Sequence, residues 1–234
     1  MKINIQDYAK ELEYWIKAFD PFVDRTSIGT LRETRERLLS GFDRKVKFAW
    51  ATARPIKLEV ARAYDRAEGE VDPLQVRWRF MATFAPDPAD KSKRPLWDVL
   101  RMNTEVELYR PDPEYLVMRY HHDLKGSGQL GPHTHLQISE DFLDDAVGMR
   151  LAVPRFPAAA LLPTDCLDLV LSEFFPHRWP KVQSEATSLG LMRQGQIDRV
   201  TRLAEELQRD WRKNPKRTPV SLLQNCYFPD LRLA

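Results

Sequence analysis

The chain has 234 residues, of which 43% are hydrophobic and 30% are charged. This balance is typical of globular proteins and excludes collagen-like, disordered and disulfide-scaffold classes. The 36 Lys and Arg residues against 34 Asp and Glu residues give a net charge of +2, which by itself indicates no nucleic-acid partner.

The N-terminal part has helical spacing. Residues 5–19 carry an apolar stripe at intervals of three and four, which predicts an amphipathic helix; its members are Tyr8, Leu12, Trp15 and Ile16. A second helix is predicted over residues 31–40, because Thr30 and Glu33 match a capping box and Gly41 is a suitable stop.

Residues 45–64 are compatible with two structures. Val46, Phe48 and Trp50 alternate as they would in a strand, whereas the alanine-rich residues 59–67 also suit a helix. The sequence leaves this choice open.

From residue 74 the apolar period becomes two, which is the period of a β-strand with one buried face. A polar connection at 85–96 and a turn at Pro111-Asp112-Pro113 separate the strands, and glycines predict a flexible hairpin tip within 123–132. The apolar series are 76–84, 100–108, 116–120 and 136–138. They predict a meander of at least four antiparallel strands.

The C-terminal part returns to helices. Residues 150–157 are predicted to form a short extended edge piece, Thr164 to cap a helix at 165–175, and residues 191–212 to form a last amphipathic helix. Residues 214–234 are expected to lie as a tail on the surface.

The predicted fold is therefore α+β, an antiparallel sheet with helices packed at its N- and C-terminal ends. We expect a single domain over residues 1–234, with a mainly helical part (1–70), the sheet (74–157) and a helical part (163–234).

The location is expected to be cytoplasmic. No apolar run approaches the roughly 18 residues that a membrane span needs, and no secretory signal opens the chain, so no membrane partner is expected. Cys166 and Cys226 are the only cysteines, and two thiols in a chain of this length favour a reducing compartment.

Basic residues are concentrated in two stretches. Residues 25–57 hold nine bases against three acids, and residues 193–217 hold eight against four. These stretches fit either solvated helix faces or a phosphate-binding surface, since backbone phosphates require only Lys and Arg at suitable spacing.

Four of the five histidines lie within fifteen residues. Strand alternation assigns His122 to the core face and the other three histidines, His121, His133 and His135, to the opposite face. The polar residues Arg119 and Gln137 lie beside them on that face. If the apolar residues of the two histidine-bearing strands are buried on the same side of the sheet, odd-numbered residues of one strand must lie opposite odd-numbered residues of the other.

This parity predicts His121 opposite His133 or His135, and in the latter case Arg119 opposite Gln137. Arg77, Arg79 and Glu105 join the same surface if their strands flank this pair.

Three interpretations of this surface compete. The first is a polar, solvent-facing side of a sheet. The second is acid–base chemistry on a phosphodiester, in which one imidazole takes a proton while another gives one and Arg119 stabilises phosphate charge. The third is a zinc ion held by His121, His133 and His135, although no carboxylate is evident to orient these ligands.

A second polar and aromatic cluster, His177-Arg178-Trp179-Pro180-Lys181, follows a predicted helix end. Cations at a helix C-terminus are favoured by the helix dipole, which accounts for the cluster structurally. In the functional alternative, Trp179 stacks a base between Arg178 and Lys181.

Short motifs over roughly residues 75–178 carry a resemblance to a known bacterial group. They are Met118-Arg119-Tyr120-His121, Gly131-Pro132-His133-Thr134-His135-Leu136, Arg150 to Arg155, and the Pro163-Thr164 helix that ends in Phe174-Phe175-Pro176. The group consists of conserved proteins encoded beside toxin–antitoxin or phage-defence genes, and TumE-like toxins show a distantly similar His-rich strand. The resemblance implies a shared site at Arg119, His133, His135 and Arg155.

The leading hypothesis is a toxin-like or defence-associated protein that acts on nucleic acid, for example as a metal-independent RNase that uses a face of histidines and arginines. His121, His133 and His135 are then the acid and base, with Arg119 as a catalytic phosphate ligand; the substrate-binding candidates are Gln137, Arg155, Arg77, Arg79, Arg178 and Trp179. The alternative is a non-catalytic, antitoxin-like or complex-forming subunit that binds a protein or RNA partner. A zinc hydrolase is the third possibility.

Overall fold

A computed structural model of the chain describes residues 2–62, 73–124, 134–138, 156–157, 161–185 and 190–213. Within these ranges the protein is an α+β structure in which one antiparallel sheet is accompanied by helices from both ends of the chain, as predicted.

The chain begins with a short strand, β1 (Lys2–Asn4), and the predicted first helix, α1 (Ile5–Phe19), which is confirmed. The Asn4 side chain caps α1 by accepting a hydrogen bond from the Asp7 backbone N–H at 2.9 Å. A 3-10 turn (Asp20–Phe22) leads into α2 (Arg25–Asp43).

The predicted start and stop of α2 are wrong. The helix begins at Arg25, because the Asp24 carboxylate accepts the Ser27 backbone N–H at 2.6 Å and caps the helix there. Thr30 lies inside the helix, where its hydroxyl donates to a backbone carbonyl one turn earlier. Gly41 also lies within α2 rather than ending it, and its missing side chain leaves room for the Phe48 ring.

The strands after α2 are β2 (Phe48–Ala51), β3 (Ile56–Arg62), β4 (Pro73–Pro86), β5 (Leu96–Pro111), β6 (Glu114–Leu124), β7 (Thr134–Ile138) and β8 (Phe156–Pro157). The open choice at 45–64 is therefore decided in favour of strands for β2 and β3. The predicted tip glycines Gly126, Gly128 and Gly131, and residues 150–155 of the predicted edge piece, lie outside the described residues.

The sheet is antiparallel, with the order β2-β4-β5-β6-β7-β8. β3 pairs with β4 further along the edge that also carries β2, and β1 pairs with the first residues of β5. The run from β4 to β7 is the predicted meander. β4, β5 and β6 are long, so they provide most of the surface on both sides of the sheet.

One side of the sheet forms the core against α1 and α2. The predicted apolar series of β4 is buried in full, namely Val76, Trp78, Phe80, Ala82 and Phe84. Trp50 of β2 ties the sheet to α2 by donating its indole N–H to the Thr34 carbonyl at 2.7 Å. The ring of Tyr8 in α1 packs edge-on against Trp50.

Three predicted core positions depart from simple alternation. Leu100 is 40% exposed because a register shift near Phe84 leaves it outside the ladder with β4. A second shift places Leu116 opposite Tyr109. Leu136 is 39% exposed although strand alternation assigns it to the core side of β7.

The C-terminal helices are α3 (Pro163–Phe174), α4 (Trp179–Glu185) and α5 (Gly190–Lys213). The last amphipathic helix is confirmed in α5, and α4 was not predicted. Thr164 is not the cap of α3, since the helix already includes Pro163 and the Asp165 carboxylate accepts the Leu162 backbone N–H at 2.9 Å. The predicted tail at 214–234 lies outside the described residues.

None of the helices in the described ranges is long and apolar enough to cross a membrane.

Candidate functional site

The side of the sheet opposite the core carries charged and polar residues on β4, β5, β6 and β7. We call this surface the polar face; it consists of Arg77, Arg79, Glu105, Glu107, Arg119, His121, Asp123 and Gln137. β5 flanks β6 and β4 flanks β5, so the condition for including Arg77, Arg79 and Glu105 is met. One row across the strands runs Arg79, Glu105, His121, Gln137.

The predicted parity of β6 and β7 is confirmed, but the predicted register is wrong. His121 lies opposite Gln137, and the backbone of His135 lies opposite Asp123. Arg119 is therefore not opposite Gln137; its neighbour on β5 is Glu107. His133 lies outside the described residues, and for His135 only the backbone is described.

The His121 side chain is held by a carboxylate on its own strand. Its Nε2 lies 3.3 Å from Oδ2 of Asp123, and Asn103 donates a hydrogen bond to the other oxygen of that carboxylate. The hydrogen bond with Asp123 raises the pKa of His121, and the nearby Glu105 charge and Gln137 act in the same direction against burial.

The expectation that no carboxylate would orient this histidine is therefore wrong. Asp123 and Glu105 both adjoin His121, one on the same strand and one directly across. An imidazole with a carboxylate on one nitrogen has a fixed orientation and a preferred tautomer.

Arg119 is bound by carboxylates of β5. Its Nε and Nη2 lie 2.9 Å and 2.7 Å from Oε1 of Glu107, and its Nε lies 3.6 Å from Glu105. Glu107 is buried at 6% exposure, so this ion pair is shielded from solvent. Burial works to lower the pKa of Arg119, but the hydrogen bond and charge of Glu107 more than offset it and raise that pKa.

Arg77 and Arg79 have separate partners. Arg79 donates from Nε to Oε1 of Glu105 at 2.7 Å, whereas Nη2 of Arg77 lies 2.7 Å from Glu114. The Arg77 guanidinium also lies over the ring of Tyr109, 3.8 Å from its centre. Arg79 is the more accessible arginine, with 48% of its side chain exposed against 14% for Arg77.

The arginines of this region are matched by carboxylates. The three arginines of the polar face meet its carboxylates Glu105, Glu107 and Asp123 and the neighbouring Glu114, and each of the three arginines forms at least one ion pair. The polar face is therefore a network of paired charges rather than a concentrated positive surface.

Trp179 and Arg178 do not belong to the polar face. Trp179 is fully buried, stacked on Trp15 at 5.6 Å between ring centres, and donates its indole N–H to Asp168 at 2.6 Å. The interpretation in which Trp179 stacks a base is wrong for this reason. Arg178 binds Glu59 and the Pro21 carbonyl and lies over Phe22, which is a structural arrangement.

The remaining candidates are placed as follows. His122 is buried on the core side, as predicted, opposite Thr104. Gln137 is buried at 5% exposure beside His121. Cys166 lies in the core, where burial raises the pKa of its thiol. Arg155 lies outside the described residues.

The sequence analysis missed Asp123 and Glu107. Asp123 follows His121 by two positions, so strand alternation alone assigns both to one face. Glu107 follows Glu105 in the same way, so strand alternation is sufficient to place both carboxylates on the polar face.

Among the described residues no group of three or more His, Cys, Asp or Glu side chains is arranged to hold a metal ion. The zinc interpretation depends on His133 and on the side chain of His135, so it stays a prediction.

Comparison with protein-family models, with curated proteins and with solved structures found no match to this chain.

Proposed function

We propose that the protein acts on nucleic acid as a toxin-like or defence-associated, metal-independent nuclease, with His121 as a proton-transfer group. The observation that supports this proposal is the contact of His121 with Asp123 on a partly shielded face that also holds Arg79 and Arg119. A cytoplasmic location is part of the proposal.

The contact with Asp123 defines how His121 would work. A carboxylate that accepts the Nε2 proton leaves Nδ1 as the basic nitrogen of the neutral ring. Such a ring takes a proton from an attacking hydroxyl, and the protonated ring, stabilised by Asp123, returns a proton to the leaving oxygen. His133 and His135 stay the candidates for a second proton-transfer group, since the backbone of His135 lies opposite Asp123.

Arg79 is the better placed of the two arginines to meet a phosphate. Glu105 receives Nε and Nη2 of Arg79, and within the described ranges no partner receives its Nη1. A guanidinium has five N–H donors in a fixed fork, so a carboxylate on one edge orients the remaining donors. Arg119 then adds positive charge beside the reacting group.

The test is cleavage of labelled single-stranded RNA and DNA by purified protein in the presence of a chelator. We expect His121→Gln to lower the cleavage rate by about 10²- to 10⁴-fold, the usual contribution of a general acid or base. His177→Gln is the matched control, because His177 is an exposed histidine on a turn near α4. Wild-type protein that cleaves neither substrate, or a His121→Gln variant that retains its rate, would refute the proposal.

A specific observation favours a second candidate, a non-catalytic interaction subunit. The ion pairs Arg79–Glu105, Arg119–Glu107 and Arg77–Glu114 satisfy the arginines internally. A face of paired charges suits a partner with complementary polar groups, such as a cognate protein. Purification of tagged protein from its native cells tests this candidate: a stoichiometric partner lost in Arg79→Glu but kept in Arg32→Glu on α2 supports it, and its absence contradicts it.

A further inference from the structure

The basic stretch at 25–57 is sorted by the structure into paired and unpaired cations. On α2, Arg35 pairs with Glu13 and Glu36, and Arg37 pairs with Glu33, so these residues form an ordinary charged helix face. The connection between α2 and β2, within the same stretch, differs. Arg44, Lys45 and Lys47 are exposed, and within the described ranges none of them has an ion-pair partner.

A second loop contributes cations to the same end of the sheet. The connection from β4 to β5 carries Lys91 and Lys93, which are also exposed and have no partner in the described part of the chain. The acids of this connection are engaged: Asp87 pairs with Lys2 at 2.6 Å, and Asp90 accepts the Ser92 and Leu96 backbone N–H groups.

Aromatic contacts place the two loops together. Trp97, at the start of β5, packs on Phe42 near the end of α2 and on Phe48 at the start of β2, with ring centres 5.7 Å and 5.5 Å apart. Phe48 pairs with Phe84, so the residues before β2 continue along the end of β4. We call the five cations of the two loops the basic end; they are Arg44, Lys45, Lys47, Lys91 and Lys93.

The basic end leads onto the polar face. Arg101 of β5 is exposed, lies opposite Thr83 on the same side of the sheet as the polar face and has no ion-pair partner among the described residues. Two residues beyond Asn103 along β5, Glu105 lies opposite Arg79 of β4. At about 3.4 Å per residue, the stretch of β5 from Trp97 to Glu105 spans about 27 Å. Arg101 is therefore the unpaired cation that lies between the basic end and the row that contains His121 in the described part of the sheet.

We propose that the basic end binds the phosphate backbone of a single-stranded nucleic acid and that Arg101 guides the strand toward His121. This inference rests on the proposed function, because it names where the substrate of that site is held. Five unpaired cations face three nearby carboxylates without a described ion-pair partner, Asp43, Asp90 and Asp98. This end therefore keeps an excess of positive charge that attracts a polyanion, even though the whole chain is almost neutral.

The arrangement favours a linear polyanion over a membrane surface. Membrane-surface segments combine cations with a substantial apolar face, whereas Val46 is the single apolar side chain between the cations of residues 44–47. Arg101 also carries positive charge from the basic end onto the sheet. Such a track suits a flexible single strand, whose backbone follows a charged groove.

The experiment measures binding of a labelled 16-nucleotide single strand by fluorescence anisotropy between 50 and 300 mM salt. The variant Arg44→Gln/Lys47→Gln/Lys91→Gln/Lys93→Gln removes four cations; Lys45 is left unchanged because its backbone is left-handed, with φ of 54°. If each cation neutralises one phosphate, the slope of log K against log salt flattens by about 3, and affinity at 0.1 M salt falls on the order of 1,000-fold.

The matched control is Arg25→Gln/Arg32→Gln/Arg212→Gln/Lys213→Gln, which removes the same charge from exposed positions on α2 and α5. We expect the control to bind within about threefold of wild type, since long-range charge effects at 0.15 M salt are screened over about 8 Å. Equal losses in both variants, unchanged binding in the first, or binding to anionic vesicles but not to the oligonucleotide would overturn the inference.

Failure of this inference is distinguishable from failure of the proposed function. His121→Gln should keep the wild-type affinity and salt slope, because it leaves the basic end intact. If wild-type protein binds the strand through the basic end but cleaves nothing, the inference stands and the nuclease proposal falls. If it cleaves, and the variant without the four cations has unchanged affinity and KM, the nuclease proposal stands and this inference falls.

Discussion

At the scale of single residues, the charge on His121 is controlled by its neighbours. Asp123 binds its Nε2, Glu105 lies directly across the strand pair, and Gln137 lies on the other side. Two carboxylates beside one imidazole stabilise the protonated ring, and partial burial opposes them only in part. His121 consequently stays protonated to higher pH than an unperturbed histidine, whose pKa is about 6.5.

This control predicts a pH dependence of catalysis. As a base, His121 must be neutral, so the cleavage rate should rise with pH through a pKa above about 6.5. Asp123→Asn removes the largest contribution to the raised pKa, so the acid limb of the pH–rate profile should move to lower pH. An NMR titration of the imidazole protons, assigned with His121→Gln, measures the same shift. A limb that stays in place would show that Asp123 does not set this pKa.

The same ion pair predicts how stability depends on pH. The pKa of His121 is higher in the folded state than in the unfolded state, so its contribution is complete below about pH 6.5 and is lost as pH rises through the folded-state value. The difference in unfolding free energy between wild type and His121→Gln should therefore be larger at pH 6 than at pH 9. Urea denaturation at both pH values measures it; a difference that grows with pH would contradict the assignment.

The composition of the polar face was largely predictable, but the pairing across it was not. Alternation from Leu116 to Tyr120 and from Leu136 to Ile138 fixes which side chains share a face. A shift of two residues preserves that assignment, so placing His133, His135 or Gln137 opposite His121 buries the same apolar residues. Hydrophobic burial therefore selects the parity, and the register is decided by contacts that the pattern does not contain.

At the scale of elements, α2 shows why helix ends are difficult to predict. Asp24 and Thr30 are both acceptable caps by local rules. The turn between them is helical because Ser27 is buried and its hydroxyl accepts the Lys57 backbone N–H of β3 at 2.9 Å. That bond joins residues thirty positions apart, so no local motif reports it.

Two glycines of α2 provide a matched prediction. Gly29 faces open space, so Gly29→Ala should stabilise the protein by up to about 1 kcal/mol through helix propensity. Gly41 lies against the Phe48 ring, so Gly41→Ala should destabilise it by about 1–3 kcal/mol through overpacking. Thermal or urea denaturation measures both. Changes of the same sign would mean that the contact between Gly41 and Phe48 does not constrain the helix.

At the scale of the whole molecule, the N-terminal and C-terminal helices share one aromatic cluster. Trp179 of α4 stacks on Trp15 of α1 and contacts Phe19 and Phe22, while its indole N–H binds Asp168 of α3. Trp179 is completely buried where it links the three helices. Along the sequence it is far from the strands of the polar face.

Replacing this residue should lower stability without changing nucleic-acid binding. Trp179→Ala should cost about 3–5 kcal/mol of unfolding free energy, the usual loss for a large buried aromatic residue. Trp179→Phe retains ring contacts and should cost less, because it gives up mainly the hydrogen bond to Asp168. Urea denaturation compares the two. A loss below 1 kcal/mol in Trp179→Ala would show that the cluster does not hold the helices together.

The hydrogen bond from Thr164 in α3 to the buried carboxyl of Glu11 in α1 joins positions 153 residues apart. During translation at 5–20 residues per second, the first helix therefore waits on the order of ten seconds before its C-terminal neighbours leave the ribosome. Throughout that interval the part of α1 that packs on Trp179, which includes Trp15 and Phe19, lacks its final covering. Nascent chains stopped before α3 should consequently recruit chaperones, while chains extended past α4 should not.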